Sequence, residues 1–300
     1  MNDNNNSGRV GALMRGLAVL DLFDRDTRTI GIGEMARALE VHKSSASRIA
    51  ATLAAAGYLQ IADGQGRYRL GHRLVSLGAL AEEDSTLERV VVPHLRYLSD
   101  VTGETGHLAV LDAANALTIA VTEGWHTVRM HSWVGKTSPA YASSMGKALL
   151  AGLTLDQVQS LYPQSKLPKA TEKSLGNTAD LISSLESIRG DGFALDDEEL
   201  EIGLRCVAAP ILDLNGQVVA SISVSGPSQR LSPSAMKQVA KHVLWAAGQA
   251  SVALGGSSRP TGWPSYPKSQ PAPLPWVEKV RPMRRQTSEA SRDRLTPTHL

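Results

Sequence analysis

Lys43 to Arg48, Lys-Ser-Ser-Ala-Ser-Arg, places two cations and three hydroxyls in six positions. At helical spacing Ser44, Ser47, Arg48 and Ala51 fall at i, i+3, i+4 and i+7 and make one stripe, with Lys43 and Ser45 beside its N-terminal end. Small hydroxyls and one arginine enter a major groove without steric conflict: the guanidinium fork reads guanine, and serine reads a base edge or a phosphate. Further on, Arg67 and Arg69 share one side of a short alternating segment and are placed to meet phosphates. The plain alternatives are a solvated helix face and a charged hairpin edge that resists strand pairing.

Two helical patterns position the stripe. Ile32, Met35, Ala36 and Leu39 give the first apolar face, and Ala46, Ile49, Ala50 and Leu53 give the second. Only Glu40, Val41, His42 and Lys43 separate them, a connection that packs two helices at a steep angle. Tyr58–Ala62 and Arg67–Leu70 alternate like strands about Asp63-Gly64-Gln65-Gly66 and predict a β-hairpin wing. Upstream, Val10, Leu13, Leu17 and Leu20 predict a third helix that covers the other two. A winged helix-turn-helix over residues 9–70 is the resulting expectation, with residues 1–8 flexible.

Composition sets the outer bounds. A chain of 300 residues with 42% hydrophobic content has enough apolar material for two cores. No run of about 18 apolar residues occurs, and the first residues lack the features of a signal peptide, so a cytoplasmic location is expected. Charge is partitioned: residues 1–80 carry 10 basic and 7 acidic side chains, residues 81–255 carry 13 and 19, and residues 256–300 carry 8 and 3. A mildly positive head on a negative middle fits a DNA-reading domain joined to one that does not touch DNA. So modest a charge binds weakly alone, and tight binding needs a dimer on a two-fold operator.

Past the hairpin, residues 71–84 predict a linker helix carrying Leu74, Leu77 and Leu80. A second amphipathic helix follows with Leu87, Val91, Leu95 and Leu98. The period then shifts to two, with strands expected at 105–111, 117–123, 127–134, 204–212 and 217–225, and helices at about 144–152 and 233–254. This pattern reads as an α+β domain over residues 85–254. From residue 255 onward lie 8 of the chain's 15 prolines, which predicts a disordered Pro/Arg-rich tail with its aromatics Trp263, Tyr266 and Trp276 solvated.

Within the second domain Ser221, Ser223 and Ser225 put three hydroxyls on one face of a strand, as a pocket wall or as an exposed edge. Ser143-Ser144 precedes a helical run, so its backbone N–H groups receive either a carboxylate or only a serine cap. Cys206, the single cysteine, lies in an apolar strand and excludes an intrachain disulfide and a multi-thiolate metal site. His126 and His131 are spaced for opposite strand faces, so no metal is expected. The Gly-x-Ser-x-Gly elbow is absent, and neither an enzyme nor a cofactor is expected. An adaptor whose helix-turn-helix contacts only protein is a further alternative.

Two long segments carry a family resemblance: Pro139–Ala151, Pro-Ala-Tyr-Ala-Ser-Ser-Met-Gly-Lys-Ala-Leu-Leu-Ala, and Gly192–Ile211, Gly-Phe-Ala-Leu-Asp-Asp-Glu-Glu-Leu-Glu-Ile-Gly-Leu-Arg-Cys-Val-Ala-Ala-Pro-Ile, followed by Ser221–Pro227. Over residues 9–253 the chain resembles the isocitrate lyase regulator (IclR) family of bacterial transcription regulators. The resemblance implies a homodimer or dimer of dimers, a GAF-like effector-binding domain, and operator DNA and a small carboxylic or aromatic acid as partners of a repressor for a catabolic operon. By position it also implies effector contacts at Thr127, Met130, Ser144, Met145, Asp196, Cys206, Ser223 and Ser225. Tyr141 stands where relatives commonly carry His, and Ser144-Met145 replaces smaller residues, making a bulkier pocket floor.

Overall fold

The computed structural model describes residues 11–24, 26–63, 66–83, 86–256 and 262–277. The chain divides into two compact units, Met1–Thr86 and Leu87–Leu300.

In the first unit α1 (Gly11–Leu20), β1 (Ile30–Gly31), α2 (Ile32–Ala38), α3 (Lys43–Ala55), β2 (Leu59–Ile61), β3 (Arg67–Leu70) and α4 (His72–Glu83) follow in order. Met35, Ala36, Ala46 and Ala50 are buried, so the apolar faces of α2 and α3 meet as their spacing predicts. Glu40 takes a left-handed conformation (φ 51°) that ends the first helix, and the Ser44 N–H donates to Nδ1 of His42, the cap of α3. The hairpin forms with Leu59 opposite Leu70 and Ile61 opposite Tyr68, and β1 adds a third strand on the outer side of β3. One expectation fails: Leu13 and Leu17 of α1 are 61% and 47% exposed, while Val19 is fully buried. The helix is therefore rotated relative to the Leu13–Leu17 stripe, which borders an open groove toward Ile49, Leu53 and Tyr58. Val10 lies outside the described residues.

The second unit contains α5 (Thr86–Thr102), β4 (Thr105–Asp112), β5 (Asn115–Thr122), β6 (Thr137–Pro139), α6 (Ser144–Leu150), α7 (Leu155–Leu161), α8 (Thr178–Asp191), β7 (Ala194–Asp197), β8 (Leu204–Leu212), β9 (Val218–Pro227) and α9 (Pro233–Ala253). Its strands form one antiparallel sheet in the order β6-β5-β4-β9-β8-β7. Strand alternation divides this sheet. Leu108, Val207, Ala209, Ile222 and Val224 face Val91, Leu95 and Leu98 of α5 and Val239, Val243 and Ala247 of α9. Their neighbours in sequence, among them Ala109 and Ala208, face α6 and α8. The central strands are thus buried on both faces, and Ser221, Ser223 and Ser225 are 0–2% exposed, which removes the exposed-edge alternative.

Two further expectations are corrected. Residues 127–134 form no strand: β6 pairs only with residues 115–117 of β5, and carbonyls of this segment are bonded by side chains, Val128 by Arg230 and Met130 by Thr105, instead of by a ladder. Residues 262–277 are not a free tail, since Leu274 is 2% exposed within the α5–α9 core and the Tyr266 hydroxyl donates to the Pro210 carbonyl at 2.6 Å. Their apolar side chains find a partner surface that composition alone does not reveal. The expectations for residues 1–8 and 278–300 lie outside the described residues.

Gly146 fits α6 against the backbone of Ala140, where a Cβ would overlap main-chain atoms. Gly146→Ala is expected to destabilise the chain by about 1–3 kcal/mol, read as a lowered midpoint in urea unfolding.

Candidate functional site

The first site is the outer face of α3. Lys43, Ser44, Ser47, Arg48 and Ala51 are all exposed, and Ser45 is half-buried at the start of the helix. Burial of Ala46 and Ala50 orients the helix so that the polar stripe faces away from the core. In the wing, Arg69 is exposed, but Arg67 folds inward: Nε and Nη2 donate to the Thr29 hydroxyl and carbonyl at 3.0 and 2.5 Å, and Nη2 lies 3.2 Å from Glu34. Glu34 in turn accepts from the Gly31 N–H at 2.7 Å, so Arg67 ties the wing to α2. Its sequence position alone gives no sign of this internal partner.

The second site lies on the sheet face opposite α5 and α9. Register builds it: Asp196 pairs with Cys206, Cys206 with Ser225 and Ser225 with Thr105, while one row over Ala208 pairs with Ser223 and Ser223 with His107. Because side chains alternate, Asp196, Cys206 and Ser225 share a face with Ser223 and His107. Over them lie Ser144 and Met145 of α6 and Met130 from the segment after β5. Together they enclose a cavity of about 20 Å³, room for a single water.

Six of the eight positions implied by resemblance line this cavity: Met130, Ser144, Met145, Asp196, Cys206 and Ser225. Ser223 is fully buried on the same face beside His107. Thr127 is exposed and outside the lining. His107, Thr118, Ser132 and Lys136 also line it and are not singled out by the sequence reading. His107 is in principle legible as a polar residue in an inward-facing position of a strand. Tyr141 is absent from the lining; its hydroxyl donates to the Pro168 carbonyl at 2.7 Å and its ring packs edge-on against Tyr162.

The cavity and the layer around it are polar and incompletely satisfied. Both ring nitrogens of His107, Oδ2 of Asp196, Oε2 of Glu199 and the hydroxyls of Ser132, Ser221 and Ser223 are buried with no hydrogen-bond partner among the described residues. Burial, reinforced by the nearby Lys136 charge, pushes the His107 pKa down to about 3, so the imidazole is neutral at physiological pH. Burial pushes the Asp196 carboxyl up to about 6 despite the Glu199 and Leu200 N–H groups that donate to its Oδ1. The Cys206 thiol is likewise driven well above its ordinary value by burial and the adjacent Asp196. Lys147 is committed to Glu199 at 2.5 Å, both largely buried. Ser143 accepts from the Gly146 N–H at 3.1 Å, so it acts as a helix cap. Among the described residues no group of three His, Cys, Asp or Glu is placed to hold a metal.

A winged helix-turn-helix with an exposed Ser/Arg face, joined in sequence to a sheet domain of different charge, defines a DNA-binding transcription regulator. The chain belongs to the IclR family: the bacterial transcriptional regulator IclR C-terminal model matches residues 81–252 and the IclR helix-turn-helix model residues 12–61. It is 31% identical over 246 residues to the HTH-type transcriptional regulator KdgR of Escherichia coli K12, covering 82% of this chain and 93% of the relative. It is 31% identical over 252 residues to the transcriptional repressor IclR of the same strain, covering 83% and 92%. A crystal structure of a regulator from Rhodococcus sp. RHA1 is similar with a TM-score of 0.69 at 30% identity, covering 82% of this chain and 98% of that one. These relatives are named as regulators rather than enzymes. No helix among the described residues is long and apolar enough to cross a membrane.

Asp196 gives a signed pH dependence. With a folded pKa of about 6, raised from 3.8, the folded state holds more protons than the unfolded state between those values, so this carboxyl's contribution to stability is lost as pH rises through about 6. Each pH unit across that interval weighs about 1.4 kcal/mol, so Asp196→Asn is expected to gain on the parent chain by up to about 3 kcal/mol between roughly pH 4 and pH 7. Urea unfolding of both proteins across that range checks it.

Proposed function

We propose that the chain is a repressor whose operator affinity is set by a small organic acid held in the polar cavity. The observation that carries this reading is the set of buried polar atoms without partners around the cavity, in a domain separate from the exposed α3 face. Leaving such groups unsatisfied costs free energy, and a ligand rich in oxygen atoms removes that cost. The neutral imidazole of His107 offers one donor and one acceptor, the serines offer either, and Lys136 supplies the positive charge that a carboxylate requires. Among the described residues no phenyl, phenol or indole ring lines the cavity, which favours a compact hydroxy or keto acid over an aromatic one. A space of about 20 Å³ admits no such acid without movement of its walls, so binding is coupled to a change of shape.

That change reaches the DNA through α4, a linker whose Val75 and Leu80 are 71% and 59% exposed and available for self-association. In a homodimer or dimer of dimers, paired heads on successive major grooves would be respaced by effector binding. Thermodynamic reciprocity then requires effector and operator to shift each other's affinity by the same factor. Footprinting on the DNA upstream of the chain's own gene, at stated salt and with a panel of small hydroxy, keto and aromatic acids, tests the reading. A palindromic protected site that one acid loosens is expected; operator affinity independent of every acid that binds would sink the coupling.

For the interface itself, Arg48→Ala is expected to weaken operator binding by about 1–3 kcal/mol and relax one base position. Binding titrations against operators varied at each position check this. A uniform loss across all sequences would assign Arg48 to a phosphate, and the Arg67 engagement with Thr29 leaves Arg69 as the better wing contact.

A further inference from the structure

The matched family region ends at residue 252, yet residues 262–277 continue the fold of the second unit. This strap holds five prolines, which favour an extended chain with little entropy left to lose. It runs back along α9. Tyr266 sits on Gly248, where a Cβ would approach the Tyr266 Cβ to 2.6 Å. Pro271–Pro273 then lie beside His242, whose Nδ1 is 2.8 Å from the Tyr97 hydroxyl of α5. Finally Leu274 and Val277 enter the core, and Trp276 reaches the level of Val239.

At that end Trp276 walls a cavity of about 320 Å³ together with Glu104, Trp125, His126 and Arg230. Glu104 is 2% exposed and receives Nε and Nη2 of Arg230 at 2.5 and 2.7 Å. The same guanidinium donates to the Val128 carbonyl at 2.7 Å, and the Thr105 hydroxyl donates to the Met130 carbonyl at 3.3 Å. Trp125 is anchored through its indole N–H to the Asp100 carbonyl at 3.3 Å. Residues 123–136 are thus held through Trp125 and Val128 from the helix side of the sheet, where Trp276 lines the same cavity as Glu104 and Arg230, and through Met130 by Thr105 on the opposite face. On that face they supply Met130, Ser132 and Lys136 to the polar cavity.

We propose that the α5–α9 surface is a docking site for the chain's own proline-rich segment 262–277, and that the docked strap is a latch on the 123–136 segment of the cavity wall. Seating Trp276 walls the Glu104 side of the Glu104–Arg230 pair, whose arginine is 30% exposed, and so supports the hold on the Val128 carbonyl. Lifting the strap admits water to that pair and loosens the segment that must move before the cavity can enlarge.

Hydrogen exchange read by mass spectrometry on the full chain tests the latch without any ligand, so its result is independent of whether the cavity binds an acid. Trp276→Ala is expected to speed exchange over residues 123–136 about tenfold while leaving β8 and β9 unchanged. A chain ended at Gly256 is expected to show the same local acceleration or more. Unaltered exchange over 123–136 in Trp276→Ala overturns the proposal, as does acceleration spread evenly through β8 and β9. The point variant keeps the test decisive should the shortened chain fail to fold.

Discussion

Strict alternation along the central strands is the constraint on which the rest of the second domain depends. In β9 the odd positions Ser221, Ser223 and Ser225 are buried on one face and the even positions Ile222 and Val224 on the other. The same parity places His107 against Leu108 in β4 and Cys206 against Val207 in β8. Ile222 and Val224 gain from contact with α5 and α9, and their burial fixes where every hydroxyl must go. Slipping the register by one residue would drive serines into that apolar core and isoleucine into the polar cavity. The fold thereby maintains a polar interior that it would otherwise eliminate, because the apolar face holds the strand in phase. Burial on both faces is also what depresses the basicity of His107 and lifts the Asp196 carboxyl.

The head domain obeys a simpler rule. Ala46 and Ala50 are small enough to bring α3 close to α2, and their full burial leaves no rotation of α3 that hides Ser44, Ser47 or Arg48. Here the chemistry on the outside is a consequence of packing on the inside. Arg67 departs from this picture, since a strand position that looks outward in the sequence is drawn in by Thr29 and Glu34, residues far from it along the chain.

Much of this architecture is legible in the sequence wherever a single periodicity dominates. Helices α2, α3, α5 and α9 and strands β4, β5, β8 and β9 have long apolar repeats, and all lie where those repeats put them. Helix α8 is hard to read because only Leu181, Leu185 and Ile188 of its residues are buried, although the Asn177 cap and the left-handed Gly192 mark its two ends. Strand β7 is hidden because Asp196-Asp197 reads as a solvated acidic run; its pairing with Cys206 turns Asp196 inward. The segment 127–134 alternates like a strand, but its Val128 and Met130 carbonyls are bonded by the Arg230 and Thr105 side chains, partners that alternation does not reveal. For the site, resemblance supplies six of the fourteen lining residues among those described. Lys136, His107 and Ser132 escape it because position along the chain does not say which polar residues a sheet will close over.

Cys206 is the chain's single cysteine, buried, and its thiol is kept protonated by its surroundings. A thiol in that state is nearly unreactive toward alkylating reagents, because the thiolate is the nucleophile. Its rate of modification therefore counts the moments at which the cavity is open and wet. The protein carries an internal chemical clock at the floor of its polar cavity, and no label need be engineered into it.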